Sequence, residues 1–162
     1  MICELIKSGS VGIASVRKNR NHQGCRGFIR RCKKFDHPED DILISLAGKA
    51  ASELYFPGVD IGSQSDIERA CRGIFSEMDH HVYGIDAADI FGPQKRPDTL
   101  FDKRHMVINA EENRYLGEVR GMLLQNREFL ETVATALTER GVLLYSDIRE
   151  IREKCCINGL AG

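Results

Sequence analysis

The chain has 162 residues, enough for one domain with a hydrophobic core. Hydrophobic residues make up 42% and charged residues 29%, and 23 basic against 24 acidic side chains leave a net charge of -1. This balance supplies no overall field for nucleic acid, so no nucleic-acid partner is expected. No apolar run approaches the roughly 20 residues of a membrane span. The six cysteines form no C-x-x-C pair, which favours a reduced, intracellular protein.

The first ten residues have the pattern of the end of a helix, with Ile2, Leu5 and Ile6 on one side and Gly9 as terminator. The pattern starts without an N-cap, so the chain looks cut at this point. The apolar side of this first helix then lacks part of its packing, and we expect rapid amide exchange in residues 1–10.

A β-hairpin is predicted next, because residues 11–16 alternate weakly and residues 25–32 follow a basic, turn-rich segment. The simpler interpretation of its charge is a solvated face. The alternative is a contact with RNA or an acidic partner, although no aromatic side chains are interleaved as on a base-stacking platform. The basic residues of the hairpin are Arg17, Lys18, Arg20, Arg26, Arg30, Arg31, Lys33 and Lys34.

Two amphipathic helices within residues 42–78 are the predicted core. Pro38 suits the first turn of the earlier helix, in which Gly48 is expected to permit close packing. Ser65 and Glu68 predict a capping box at the start of the second helix, with Asp66 in its first turn. The apolar stripes consist of Leu43, Leu46, Ala47, Ala50, Ala51 and Leu54, and of Ile67, Ala70, Cys71, Ile74, Phe75 and Met78.

The rest of the chain is predicted to be a loop over residues 79–103, one helix over about 109–139 ended by Gly141, and a short helix from Ser146. Residues 155–162 are predicted to be a frayed tail. The expected fold is mainly α, with a small N-terminal β-hairpin, and residues 1–154 are expected to form the domain.

Local patterns indicate no catalytic residue and no cofactor-binding residue. His80 and His81 are adjacent, so on a helix their side chains point about 100° apart and do not share a metal. No glycine-rich phosphate loop is present, which excludes an ATP site of that kind. The helix-capping interpretation accounts fully for Asp66. From local physics alone, the sequence predicts a helical domain of unstated function.

Two linked segments carry a resemblance to a known family. LAGKAASELYF (residues 46–56) and GSQSDIERA (residues 62–70) resemble the signatures LAGRAAEEL and TGASNDLERAT of the FtsH-like AAA zinc metalloendopeptidases, in their C-terminal peptidase domain. The resemblance continues through residues 82–85, 91–92, 124–127 and 146–151. It implies a helical peptidase-type fold over most of the chain. Ser52 and Gln64-Ser65 depart from the family pattern.

The resemblance implies that Asp66 is the third protein ligand of a zinc ion. The other two ligands and the base glutamate would come from an H-E-x-x-H helix, expected just before Met1. With one ligand of three, the chain as given is expected neither to bind zinc tightly nor to hydrolyse peptides. It is then either part of a protease or a naturally short protein that has lost catalytic activity.

The family's other properties follow as expectations. The parent protease would cleave unfolded polypeptide, form a hexamer, and be anchored in a membrane through segments outside this chain. Its peptidase domain would face the cytoplasm or an organelle interior. The hairpin would offer an edge strand to extended substrate. The alternative hypothesis is a non-catalytic binding or oligomerisation module that keeps the helical scaffold.

Overall fold

The computed structural model describes residues 1–17, 27–58, 64–79 and 97–155. These residues form six helices and three short strands, which confirms the predicted mainly α fold. In chain order the elements are α1 (Ile2–Ile6), β1 (Val11–Ser15), β2 (Phe28–Arg31), α2 (Pro38–Tyr55), α3 (Gln64–Asp79), α4 (Pro97–Gln125), α5 (Arg127–Arg140), β3 (Val142–Leu144) and α6 (Tyr145–Lys154). None of these helices is long and apolar enough to cross a membrane.

The chain divides into two compact units. The first unit comprises residues 1–35 and 122–162, and the second comprises residues 36–121, so the boundary falls inside α4. The prediction of a single domain over residues 1–154 remains a prediction.

The first unit contains an antiparallel sheet in the order β2-β1-β3. The predicted hairpin is confirmed, since Ala14 pairs with Ile29 across it. On the other side Ala14 pairs with Leu143, and both of these side chains are buried. The sequence analysis did not predict the third strand, which is only three residues long. It forms because Gly141, at φ 75°, ends α5 and reverses the chain alongside β1.

The second unit is centred on the packing of α2 against α3. Leu46, Ala50, Ala70 and Ile74 are buried, as expected from the apolar stripes of the two helices. Ile42, which the predicted stripe did not include, is buried as well. The two helices approach each other closely at Gly73, where an added Cβ would lie 2.7 Å from Ile42 Cγ1. At Gly48, no atom of the described residues lies within 4 Å of the equivalent position, so the prediction that Gly48 permits close packing is wrong for this part of the chain.

Two predictions about helix limits are also wrong. The loop expected over residues 79–103 is helical from Pro97 onward, because proline is well suited to a first helical turn. The single helix expected over residues 109–139 is broken at Asn126, which is buried and whose Nδ2 donates to the Met122 carbonyl at 2.9 Å. The break shifts the helical phase, and Phe129 and Val133 become the buried residues of α5.

Candidate metal ligand and basic strand edge

Asp66 lies in the first turn of α3, as predicted, and is partly buried. The partial positive charge of a helix N-terminus favours a carboxylate at this position. Ser65 is the second residue of α3 rather than its cap, and Glu68 accepts from Gln64 Nε2 at 3.5 Å, so the predicted capping box is not present in this form. The position of Asp66 within the second unit is fixed by the packing of α3 on α2.

Among the residues that the structure describes, no group of three or more His, Cys, Asp and Glu side chains is placed to hold a metal ion. Asp66 would supply one metal ligand, whereas a catalytic zinc site uses three protein ligands. The described side chains therefore do not by themselves fit the zinc ion that the resemblance implies, and no reaction step is assigned through it. The ligand role of Asp66 stays a prediction. His80 and His81 lie outside the described residues.

Strand β2 is an edge strand of the described sheet, and all four of its residues are exposed. Phe28 and Ile29 have 37% and 47% of their surface exposed, and Arg30 and Arg31 follow them. Exposed apolar side chains beside cations on a strand edge suit an extended peptide that carries apolar and acidic residues. The same charges also protect an edge from aggregation, which is the simpler explanation for them.

The register indicates which backbone groups of β2 point away from the sheet. Val16 N–H donates to the Gly141 carbonyl at 3.1 Å, so β1 turns the backbone groups of Ala14 and Val16 toward β3. The groups of Ser15, which pairs with Phe28, then point toward β2. By the alternation of an antiparallel ladder, the N–H and C=O groups of Ile29 point to the outer edge.

A cluster of charged groups joins the helices of the second unit. Lys49 Nζ on α2 lies 2.7 Å from Glu112 Oε1 on α4. Burial raises the pKa of the Cys71 thiol on α3; the charge of Glu112 raises this pKa further, whereas the charge of Lys49 lowers it. Sequence reasoning missed this cluster, because no pattern joins residues 63 positions apart.

Glu4 is a second group that sequence reasoning missed. Its side chain is 2% exposed, and its carboxylate accepts hydrogen bonds from the backbone N–H groups of Gly9, Ser10 and Val11. Ile2 and Leu5 of the same helix are also buried, so the structure supports the apolar side of α1 that was expected to lack support. An isolated Glu in an apolar helix was the available sequence signal.

Comparison of the sequence with known proteins identifies relatives among the metalloproteases. No family model matches the chain. Three curated relatives do match it, and each match covers about 70% of the chain. These matches show that the chain is FtsH-like in sequence.

The relatives carry closely related names. The chain is 31% identical over 133 residues to the ATP-dependent zinc metalloprotease FtsH of Thermus thermophilus, covering 70% of the chain and 20% of that protein. It is 30% identical over 126 residues to the protein of that name from Rhodothermus marinus, covering 69% and 18%. It is 22% identical over 130 residues to FtsH 3 of Petrotoga mobilis, covering 71% and 20%. The chain thus spans about a fifth of the length of these relatives.

Proposed function

We propose that the chain is the major part of a peptidase domain of the FtsH type and that it is inactive by itself. The observation that supports this proposal is the sequence match to three proteins named as ATP-dependent zinc metalloproteases. In the proposed parent enzyme, Asp66 is the carboxylate ligand of zinc, and two imidazoles come from an H-E-x-x-H helix. A carboxylate beside two imidazoles is a usual ligand set for a hydrolytic zinc site.

The parent enzyme is proposed to cleave unfolded polypeptide as a hexamer, with its peptidase domain on the cytoplasmic or organelle-interior side of a membrane. These properties rest on the resemblance of residues 46–56 and 62–70 to the family signatures. They concern a whole protein about five times the aligned length, not this chain alone.

A chimera tests the peptidase proposal directly. The aligned segment of the Thermus thermophilus relative is replaced by the matching residues of this chain, and zinc content and casein hydrolysis are measured. We expect stoichiometric zinc and hydrolysis in the chimera, and loss of both on Asp66→Ala. Glu68→Ala is the matched control, because Glu68 is an exposed carboxylate in the next half-turn of α3 and is expected to keep both properties.

The outcomes separate the hypotheses. Retention of zinc and hydrolysis by the Asp66→Ala chimera removes Asp66 from the ligand set. A folded chimera without zinc, alongside an active unmodified relative, favours a module that has lost catalysis. For the chain as given, we expect neither tightly bound zinc nor hydrolysis. Stoichiometric zinc that is lost on Asp66→Ala would mean that residues outside the described ranges complete a site.

The exposed edge of β2 favours a second candidate, a non-catalytic module that binds extended polypeptide. A peptide that pairs with the outward backbone groups of Ile29 would extend the sheet by one strand. Apolar contacts would come from Phe28 and Ile29, and acidic residues of the peptide would lie beside Arg30. An in-frame stop codon upstream of Met1 would favour this module, and an in-frame H-E-x-x-H sequence would favour the enzyme.

Peptide binding is tested with Ile29→Pro, which removes an outward-pointing N–H group from the edge. We expect at least a tenfold weaker affinity for an extended acidic peptide, measured by fluorescence anisotropy. Ile29→Thr is the control, because it keeps the N–H group and the β-branched shape. Val16→Pro is unsuitable, since Val16 N–H already bonds to the Gly141 carbonyl. Equal affinity of the Pro and Thr variants would rule out strand addition.

A further inference from the structure

The carboxylate of Glu4 accepts hydrogen bonds from the backbone that connects α1 to β1. Gly9 N lies 2.7 Å from Glu4 Oε1, and the nitrogens of Ser10 and Val11 lie 3.0 Å and 3.1 Å from Oε2. Ser10 Oγ donates to the Cys3 carbonyl at 2.6 Å. Three consecutive backbone N–H groups thus converge on one buried anion, an arrangement that normally binds an anionic ligand. Here the anion is supplied by the chain itself.

Arg152 on α6, the C-terminal helix of the first unit, also contacts Glu4. Its Nη1 lies 3.6 Å from Glu4 Oε1 and donates a hydrogen bond to the Glu4 backbone carbonyl. The Arg152 side chain is 22% exposed and that of Glu4 is 2% exposed. A buried carboxylate is costly unless it is paired and hydrogen-bonded, so each partner stabilises the position of the other.

We propose that Glu4 and Arg152 form a latch that couples α6 to the turn at residues 7–10, so that release of either segment loosens the other. Displacement of α6 removes the only cation that the described structure places on the Glu4 carboxylate. Displacement of α1 removes the carboxylate that Arg152 and the N–H groups of Gly9 and Val11 contact, whereas the Ser10 N–H also donates to the Lys7 carbonyl at 3.2 Å. This inference goes beyond the proposed function and does not depend on it.

Amide hydrogen exchange of the full chain tests the latch from both sides. Arg152→Met keeps the aliphatic stem and removes the cation. We expect exchange at the amides of Gly9, Ser10 and Val11 to become about tenfold faster or more, as when a hydrogen bond to a charged group is lost. Glu4→Gln is expected to accelerate exchange in α6 by a similar factor, because coupling is reciprocal.

Arg149→Met is the matched control on the same helix. Its guanidinium is exposed and lies 3.6 Å from Glu153 Oε1, on the same helix. We expect unchanged exchange at residues 9–11 in this variant. Amides of α2, in the second unit, report destabilisation of the whole chain, and we expect their exchange to accelerate less than exchange at residues 9–11 in every variant.

Several results would overturn the latch. One is faster exchange in Arg152→Met confined to α6, and another is an equal effect of Arg149→Met at residues 9–11. If Arg152→Met does not fold, Arg152→Lys replaces it: a smaller acceleration at residues 9–11 supports the latch, and unchanged rates contradict it. The double variant Glu4→Gln, Arg152→Met tests the coupling through the factor by which exchange at residues 9–11 accelerates. A factor close to the larger of the two single-variant factors supports coupling, whereas a factor equal to their product contradicts it.

Discussion

Lys49 and Glu112 form an ion pair that ties α2 to α4 within the second unit, with 2.7 Å between Nζ and Oε1. The two side chains are 27% and 15% exposed, so solvent screens the pair less than a surface pair. One turn further along α2, Glu53 pairs with Arg120 of the same α4 helix. These two charged contacts position α4 along α2.

Substitution of Lys49 by Met should lower the free energy of unfolding by about 1–2 kcal/mol, because it leaves the carboxylate of Glu112 partly buried without its cation. The measurement is urea denaturation followed by circular dichroism. Lys154→Met is the control: its pair with Glu150 is on the exposed surface, where solvent screens it, and its loss should cost clearly less than the loss of the Lys49 pair. Equal costs for the two variants would show that the Lys49 pair is no stronger than a surface pair.

The alkylation rate of the Cys71 thiol should depend on the charges of Lys49 and Glu112. Burial raises its pKa, and Glu112 raises it further, so Glu112→Gln should lower the pKa and speed alkylation by iodoacetamide at fixed pH. Lys49→Met should have the opposite effect, because Lys49 lowers the pKa. The rate at Cys71 is followed by mass spectrometry of its peptide. Glu111→Gln is the control, since Glu111 pairs with Arg114; a matching effect there would contradict a local cause.

The raised pKa of Cys71 also sets the sign of a pH effect on stability. The folded chain holds the thiol proton more tightly than the unfolded chain does. This contribution to stability is therefore fully present at neutral pH and is lost as the pH rises through the raised pKa. The dependence should vanish in Cys71→Ser, and its persistence there would assign it to another group.

Two helical glycines should respond oppositely to alanine. Gly48→Ala should stabilise the chain by about 0.5–1 kcal/mol, because the site is exposed and no atom of the residues that the structure describes lies within 4 Å of the added Cβ. Gly73→Ala should destabilise it by about 1–3 kcal/mol, because the new Cβ would lie 2.7 Å from Ile42 Cγ1. Thermal unfolding of both variants is the measurement. Stabilisation by Gly73→Ala would show that α2 and α3 can separate without cost.

Gly141→Ala should cost about 1–2 kcal/mol, because residue 141 has a φ of 75° in the left-handed region. The expected measurement is the midpoint of urea unfolding. Gly141→Asn is the comparison, since asparagine tolerates this conformation better than alanine. An added Cβ also approaches Arg17 Nε at 2.7 Å. If the two variants cost the same, contact with Arg17 rather than the backbone conformation is the cause.

The sequence by itself determined the features that depend on neighbouring residues. Periodic apolar residues gave the α2 and α3 helices, Gly141 gave the end of α5, and the alternation in residues 11–16 gave β1 and its hairpin. It also placed Asp66 in the first turn of a helix. Each of these depends on local backbone preference and on a repeat of 2 or 3.6 residues, both of which can be read along the chain.

Only the tertiary structure decided which distant groups meet. The pairing of β3 with β1 and the contact of Glu4 with Arg152 join segments that no local pattern relates. Burial of a short strand or a lone carboxylate is favourable only when partners from elsewhere in the chain satisfy its polar groups. For this reason the sequence marked Asp66, a residue at a helix start, and missed Glu4, whose partners come from a turn and from the last helix.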